Sequence, residues 1–300
     1  MRKIIDSHAH LGDIFHENRN VSFQTHVELP EYEDRFVDLE ESGFTKPLFT
    51  GQPDDEQKII DGGQFRCWQS TLTQLQKELD ENEMEGVVLL PVLPNTSFEE
   101  YLAASRLEPR ILPFTAADFS LPEDKMIAKL KRDIGSGARG LKLHPVLQNV
   151  RLTDPKMYHA AEIFGEMNLP VVVHVGIGTY YSADKDFPWN PQYGAMEDFF
   201  TFVHELGDQP IIGAHCGAFA KEFIKGVKGM KNVYTDTSFS SAPLVREAVE
   251  ILGEDQVLYG TDYPFTHEKY NIQVIDDALS DQPIVKEKVF YENIAKLLHL

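Results

Sequence analysis

Three hundred residues, 42% of them hydrophobic, suffice for one large α/β domain or two smaller ones. A formal charge of −20 argues against nucleic acid and anionic membrane as partners, because both select clustered Lys and Arg. The longest apolar runs, such as Val87-Val88-Leu89-Leu90, are far too short for a membrane span. Two cysteines, Cys67 and Cys216, are too few for a disulfide framework and fit a reducing cytoplasm.

The chain opens on a strand, Ile4-Ile5-Asp6-Ser7-His8-Ala9-His10, so close to Met1 that no room is left for a signal peptide. His8 and His10 share one face of that strand, because side chains alternate with period two. Paired imidazoles make half of a site for zinc or a neighbouring transition metal, but the same pair also arises by chance. Later strand ends have to decide. Residues 11–64 are the least regular part. Tyr32, Phe36 and Leu39 recur at i, i+4 and i+7, which predicts a short amphipathic helix ending at Gly43. The remainder, including Thr50-Gly51-Gln52-Pro53-Asp54-Asp55, reads as loop. So long a connection is expected to act as a lid or binding element, with a tolerated surface insertion as the alternative.

From Trp68 the pattern is regular. Trp68, Leu72, Leu75 and Leu79 line one helical face ahead of the strand Gly86–Val92. Helices near 97–107, 122–134, 155–167, 195–206, 218–229 and 243–252 then alternate with strands, and two helices finish the chain. These strands are Arg110–Ala116, Arg139–Pro145, Val171–Val175, Ile211–His215, Val233–Thr237 and Val257–Asp262. Eight strands separated by helix-length segments predict a parallel sheet closed into a single (β/α)8 barrel over 1–300, with 11–64 as its lid. No G-x-G-x-x-G follows strand one, which disfavours an open dinucleotide-binding sheet.

Barrel sites lie at the C-terminal ends of the strands, so polar residues there are the ones to collect. They are His8 and His10 on strand one, Lys142 and His144 on four, His174 on five, His215 on six and Asp262 on eight. One such histidine would read as a hydrogen-bonded structural residue. Five on one rim with an aspartate point to a metal site. His16, His26, His159, His204, His267 and His299 fall on helices or loops and read as surface residues, although His267 could overhang the site. Cys216 should pack behind His215. Tyr180, Tyr181, Phe187 and Trp189 follow strand five on the same rim, as a substrate wall or as the contact of a homo-oligomer.

These motifs together resemble the amidohydrolase superfamily, in the amidohydrolase-related branch that includes aminocarboxymuconate semialdehyde decarboxylase. The resemblance runs from Asp6-Ser7-His8-Ala9-His10 through Gly140-Leu141-Lys142-Leu143-His144-Pro145, Val173-His174-Val175-Gly176, Ala214-His215-Cys216-Gly217 and Gly260-Thr261-Asp262-Tyr263-Pro264 to the last helix. There Asn293-Ile294-Ala295-Lys296-Leu297-Leu298 resembles the family's Asn-Ala-x-Arg-Leu-Phe ending, with Ile294 in place of the alanine. The resemblance implies that His8, His10, His174 and Asp262 hold one divalent ion, Zn2+ before others, and that His215 stands beside it as acid or base. Asp262 would share the proton work. It leaves Lys142 and His144 between substrate binding and a second, carbamate-bridged metal, with one metal favoured. It implies first a hydrolase attacking an amide, ester or lactone carbonyl of a small molecule with zinc-bound hydroxide. The alternative is a non-oxidative decarboxylase of a small acid, which needs a cationic clamp from Arg66, Lys142 or Arg151. A barrel kept only as a binding protein would be expected to lack a ligand, and none is missing.

Overall fold

Short runs of Val, Ile and Leu form the strands, which this computed structural model arranges as one parallel barrel. The structure describes residues 2–16, 21–24, 34–181, 188–216 and 221–300. The strands are β1 (Ile5–Ala9), β2 (Gly86–Leu89), β3 (Ile111–Pro113, resumed at Thr115–Ala116), β4 (Leu141–Leu143), β5 (Val171–Val173), β6 (Ile211–Gly213), β7 (Val233–Asp236) and β8 (Val257–Leu258). Each pairs in parallel with the next. At the break in β3 the Phe114 amide still donates to Leu89 O, while Thr115 N donates to Gly140 O on the β4 side. The ring closes where Ser7 N donates to Tyr259 O (2.9 Å), Asp262 N to His8 O (2.7 Å) and His10 N to Tyr263 O (2.7 Å). That closure is the (β/α)8 arrangement expected from the strand count.

Strand alternation divides the core in two. Ile5, Val88, Leu90, Phe114, Val172, Ile212, Ala214 and Leu258 pack on one another, which residues from six strands can do only inside the barrel. Ile294, Leu297 and Leu298 close its N-terminal end, so Ile294 is a buried plug residue. The intervening residues Val87, Leu89, Leu141, Leu143, Val171, Val173, Ile211 and Val257 belong to the larger core between strands and helices. Those helices follow the periodicity: α4 (Phe98–Leu107), α5 (Glu123–Gly135), α6 (Pro155–Gly165), α7 (Met196–Glu205), α8 (Lys221–Gly226), α9 (Ala242–Leu252) and α10 (Glu268–Ala278). At α4 the Ser97 and Glu100 side chains cap each other's backbone amides, a reciprocal pair that stops the helix at its first residue. The chain ends in two short helices, Pro283–Glu287 and Asn293–Leu297, joined by a π turn. No helix among the described residues is long and apolar enough to cross a membrane.

The segment after β1 departs from expectation in two places. The helix read from Tyr32, Phe36 and Leu39 is α1 (Arg35–Glu41), capped by the Asp34 carboxylate, with Phe36 and Leu39 buried; Tyr32 lies outside the described residues. The stretch taken as loop up to Gln64 instead holds a fifteen-residue helix, α2 (Asp55–Gln69). Its Gly62-Gly63 pair and weak amphipathic pattern hide it from periodicity. Trp68 therefore ends α2, where its indole N–H donates to Asp13, and Thr71 caps a separate helix, α3 (Leu72–Glu81).

Candidate metal centre

Reaching the rim takes local departures from plain strands. A register shift between Asp6 and Ala9 in β1 re-aims the chain before His10. His215 (φ +59°) and Asp262 (φ +59°) both sit in the left-handed region; at His215 the turn brings inward a side chain that alternation after Ile212 and Ala214 would face outward. Cys216 (φ +48°) shares that turn and packs in the outer core behind His215. Gly260 is needed alongside: a Cβ there would lie 2.9 Å from Asp236 Cβ and 3.2 Å from His8 Cβ. The strain and the glycine let β1, β7 and β8 bring polar side chains together at one point.

The hydrogen bonds assign the protons. His10 Nδ1 is 2.6 Å from Leu90 O, which can only accept, so Nδ1 carries the hydrogen and Nε2 a lone pair. His8 Nδ1 is 2.9 Å from the Asp236 carboxylate, so its Nε2 is also a lone pair. Both lone pairs face Asp262 Oδ1, at 3.1 Å from His10 and 3.4 Å from His8. That buried oxygen has no hydrogen-bond donor among the described residues. The Lys142 ammonium stands 3.2 Å from the His8 lone pair, but those of His10 and Asp262 face each other without a donor, and two buried acceptors so placed repel unless a cation lies between them. His8, His10 and Asp262 therefore fit a divalent ion.

A second cluster, His8, His215 and Asp236, is of the opposite kind, because its donors and acceptors match. Ser238 Oγ donates to Asp236 and accepts from His215 Nδ1 at 2.7 Å. His215 Nε2 then faces His174 Nδ1 (3.3 Å), and His174 Nε2 lies 2.8 Å from the Tyr180 hydroxyl and 3.3 Å from Gly176 O. Asp236 orients His215 through Ser238 and His8 directly. The sequence pointed to neither Asp236 nor Ser238. Yet Asp236 carries the signal used for the others, a polar residue closing an apolar strand body.

The remaining expected residues divide. His174 lies in the same cavity, but its Nε2 faces Tyr180; joining His8, His10 and Asp262 as a fourth ligand requires exchanging that hydrogen bond. His144 stacks flat on His174 at 4.1 Å and accepts from the Leu147 amide. Lys142 Nζ lies 3.2 Å from His8 Nε2, beside the ligand cluster. Arg66 is consumed elsewhere, bonded to Asp34, Glu40 and Phe265 O, and Arg151 pairs with Asp198; neither lines the cavity as a clamp. His267 joins Glu40 and does not overhang the site. His16 pairs with Asp13, His159 with Glu123 and His299 with Asn168 O, while His204 is exposed. His26 and Phe187 lie outside the described residues.

Burial dominates the electrostatics. It pushes Lys142 down to about 8 against the pull of Asp262 and Asp236, and His215 down to about 4. Above these groups opens a cavity of about 270 Å3 with a mostly apolar wall. Ile14, Phe15, Phe36, Phe49, Ile59 and Ile60 of the segment after β1 form its roof, with Tyr180, Phe239 and Phe265 packed against Phe15 and Phe36. Of the aromatic residues expected after strand five as a substrate wall or an oligomer contact, Tyr180 lines this cavity.

Comparison with known proteins follows this geometry. A family profile described as Amidohydrolase matches residues 5–300. A sequence search of curated proteins finds no match. Among solved structures, the chain is similar to 2,6-dihydroxybenzoate decarboxylase from Rhizobium (13% identity, TM-score 0.65, covering 100% of this chain and 99% of that one). It is similar to 5-carboxyvanillate decarboxylase from Novosphingobium aromaticivorans, complexed with manganese and 4-hydroxy-3-methoxy-5-nitrobenzoic acid (14%, 0.66, 100% and 96%). It is also similar to a probable 2-pyrone-4,6-dicarboxylic acid hydrolase from Acinetobacter baumannii (14%, 0.62, 99% and 99%). At these identities the likeness concerns the fold.

Proposed function

The chain belongs to the amidohydrolase family, and from that premise we propose that it removes carbon dioxide without oxidation from a small carboxylic acid held at a divalent metal. The observation that carries this reading is the contrast inside the cavity. Its wall is mostly apolar, while the one ammonium among its described lining residues, Lys142, sits beside the ligand cluster at the floor. A carboxylate drawn to that floor leaves water behind, and desolvation favours conversion of the anion to neutral carbon dioxide. Two of the three solved relatives above bear the name of a decarboxylase, which supports the same choice.

His8, His10 and Asp262 would hold the ion, with His174 as fourth ligand once it leaves Tyr180. When bound, the metal supplies a positive charge that binds a substrate oxygen and draws electron density from it. Zinc and manganese both suit two or three imidazoles and a carboxylate, and one ion per chain is expected while Lys142 keeps its ammonium. Lys142 would pair with the acid group. As the carbon–carboxylate bond breaks, its electron pair stays on carbon, which must then take a proton. His215 is the group placed to move that proton at Nε2, since Ser238 holds its Nδ1 hydrogen. Neutral at pH 7, it must take up a proton before delivering one.

Hydrolysis of a lactone or ester, the reading that the resemblance places first, uses the same residues. Its specific support is the pyrone hydrolase among the solved relatives. Manganese- or zinc-loaded protein offered aromatic and aliphatic acids alongside lactones tests both. Carbon dioxide release abolished by chelation is the expected result. Lactone opening without carbon dioxide release would replace this reading with hydrolysis.

A further inference from the structure

We propose that an apolar crevice beside the metal cavity is a subsite for a hydrocarbon tail, so that the acid carries one polar head and an elongated apolar body. This rests on the carboxylic-acid reading for the head and on separate observations for the tail. The crevice, about 390 Å3, runs between roof residues 44–48 and the first turn of α9, with walls from Phe44, Pro47, Pro243 and Leu244. It shares Leu48 and Phe239 with the metal cavity, so the two spaces are neighbours with those side chains as their common wall. Its cationic wall residue, Lys46, is mostly exposed and already faces Asp38 at 3.9 Å.

Phe239 stands between the two spaces. Its ring centroid is 6.0 Å from that of His215, 6.3 Å from Phe36 and 6.4 Å from Phe44. Its φ of +56° places a bulky aromatic residue in the left-handed region, an outlier that its surroundings must hold. Such outliers concentrate at ligand clamps. The charge census limits the other end of the molecule. Apart from imidazoles, Lys142 is the one cation among the described residues lining the metal cavity. A second acidic group would therefore be buried without a partner, an arrangement that costs several kcal/mol in general. One head at the floor and a tail past Phe239 satisfy both spaces.

The test is the affinity of manganese-loaded protein for straight-chain acids from butyrate to decanoate, measured by calorimetry. Affinity is expected to rise about fourfold for each methylene that the crevice buries. Leu244→Glu and, on the exposed start of α9, Pro243→Asp should each flatten that slope; if one variant does not fold, the other decides. A flat slope in the parent protein, or an equal slope in a folded variant, overturns the tail subsite. So does an unchanged series after chelation, because the head would then not be at the metal centre. Saturated acids offer no electron sink for the pair that departing carbon dioxide leaves, so this series reads the subsite alone. Lactone opening without carbon dioxide release in the preceding test would fail the decarboxylase reading and leave the subsite standing.

Discussion

On the floor of the cavity His10 and Asp262 turn lone pairs toward each other beside His8, and Asp262 Oδ1 has no donor among the described residues. In the roof the polar groups are matched. Arg66 donates to Asp34, Glu40 and Phe265 O, Glu40 also receives the His267 amide, and Asp55 accepts from Arg35, Thr50, Gly51 and Gln52. Both regions are buried and both are charged, so burial does not separate them. Pairing does. A matched network consumes its charges in holding α1 and α2 onto the barrel, whereas an unmatched one is stable only with a cation added. A cluster of acids and bases is therefore read by its protons before it is read by its residue types.

The sharpest way to break this contrast is at the unmatched oxygen. Asp262→Asn puts an amide where a carboxylate ligand should be, and elemental analysis should fall from about one divalent ion per chain toward none, as expected when one of few ligands is lost. Retention of the ion would remove Asp262 from the site. His215→Asn should behave differently, keeping the ion and losing roughly 10²–10⁴-fold in turnover, the range for a missing acid or base. Parent-like turnover in that variant would make His215 structural.

Arg66→Met carries the comparison to the roof. Breaking a buried ion pair costs about 3 kcal/mol or more, because Glu40 keeps its charge and retains only His267. Urea unfolding should show the loss while metal content stays constant; a fall in metal content would mean that roof and floor are not separate. Asp236→Asn tests the matched cluster on the floor. Without the carboxylate the proton on His8 Nδ1 is no longer specified, and metal affinity should fall about 10- to 100-fold. Competition with a chelator measures it, and parent-like affinity would mean that Leu90, Lys142 and packing orient the ligands unaided.

The smallest effect concerns acid. Burial alone would raise the Asp55 carboxyl, but hydrogen bonds from Thr50 and Gln52 and the Arg35 contact outweigh it and hold it at about 2, below the ordinary 3.8. A depressed carboxyl stabilises the fold in full above its unfolded value, and that stabilisation disappears as pH falls through the folded one. Amide protection at 50–52 should therefore persist from pH 7 down to about 4 and fade toward about 2. Fading already at pH 6 would show that another group holds the turn.

Sequence alone determined the barrel and most of its rim. Val171–Val173, Ile211-Ile212 and Val257-Leu258 are short apolar runs separated by helices, and polar residues at their ends can hardly serve the core. The i, i+2 spacing was enough to bring His8 and His10 to one place. It was not enough to separate ligand from neighbour, because that depends on which lone pair meets which donor across the closure between β1, β7 and β8. The register shift in β1 and the left-handed turns at His215 and Asp262 leave no periodic trace. The fates of Arg66 and Arg151 were equally hidden: each is a suitable clamp by type, and each is spent on a carboxylate that only folding brings near. Helix α2 escaped notice because packing over the cavity stabilises it against its own glycines. Periodicity records how each segment is buried, whereas pairing is a relation between residues far apart in the chain, 254 positions for His8 and Asp262, and only the closed barrel decides it.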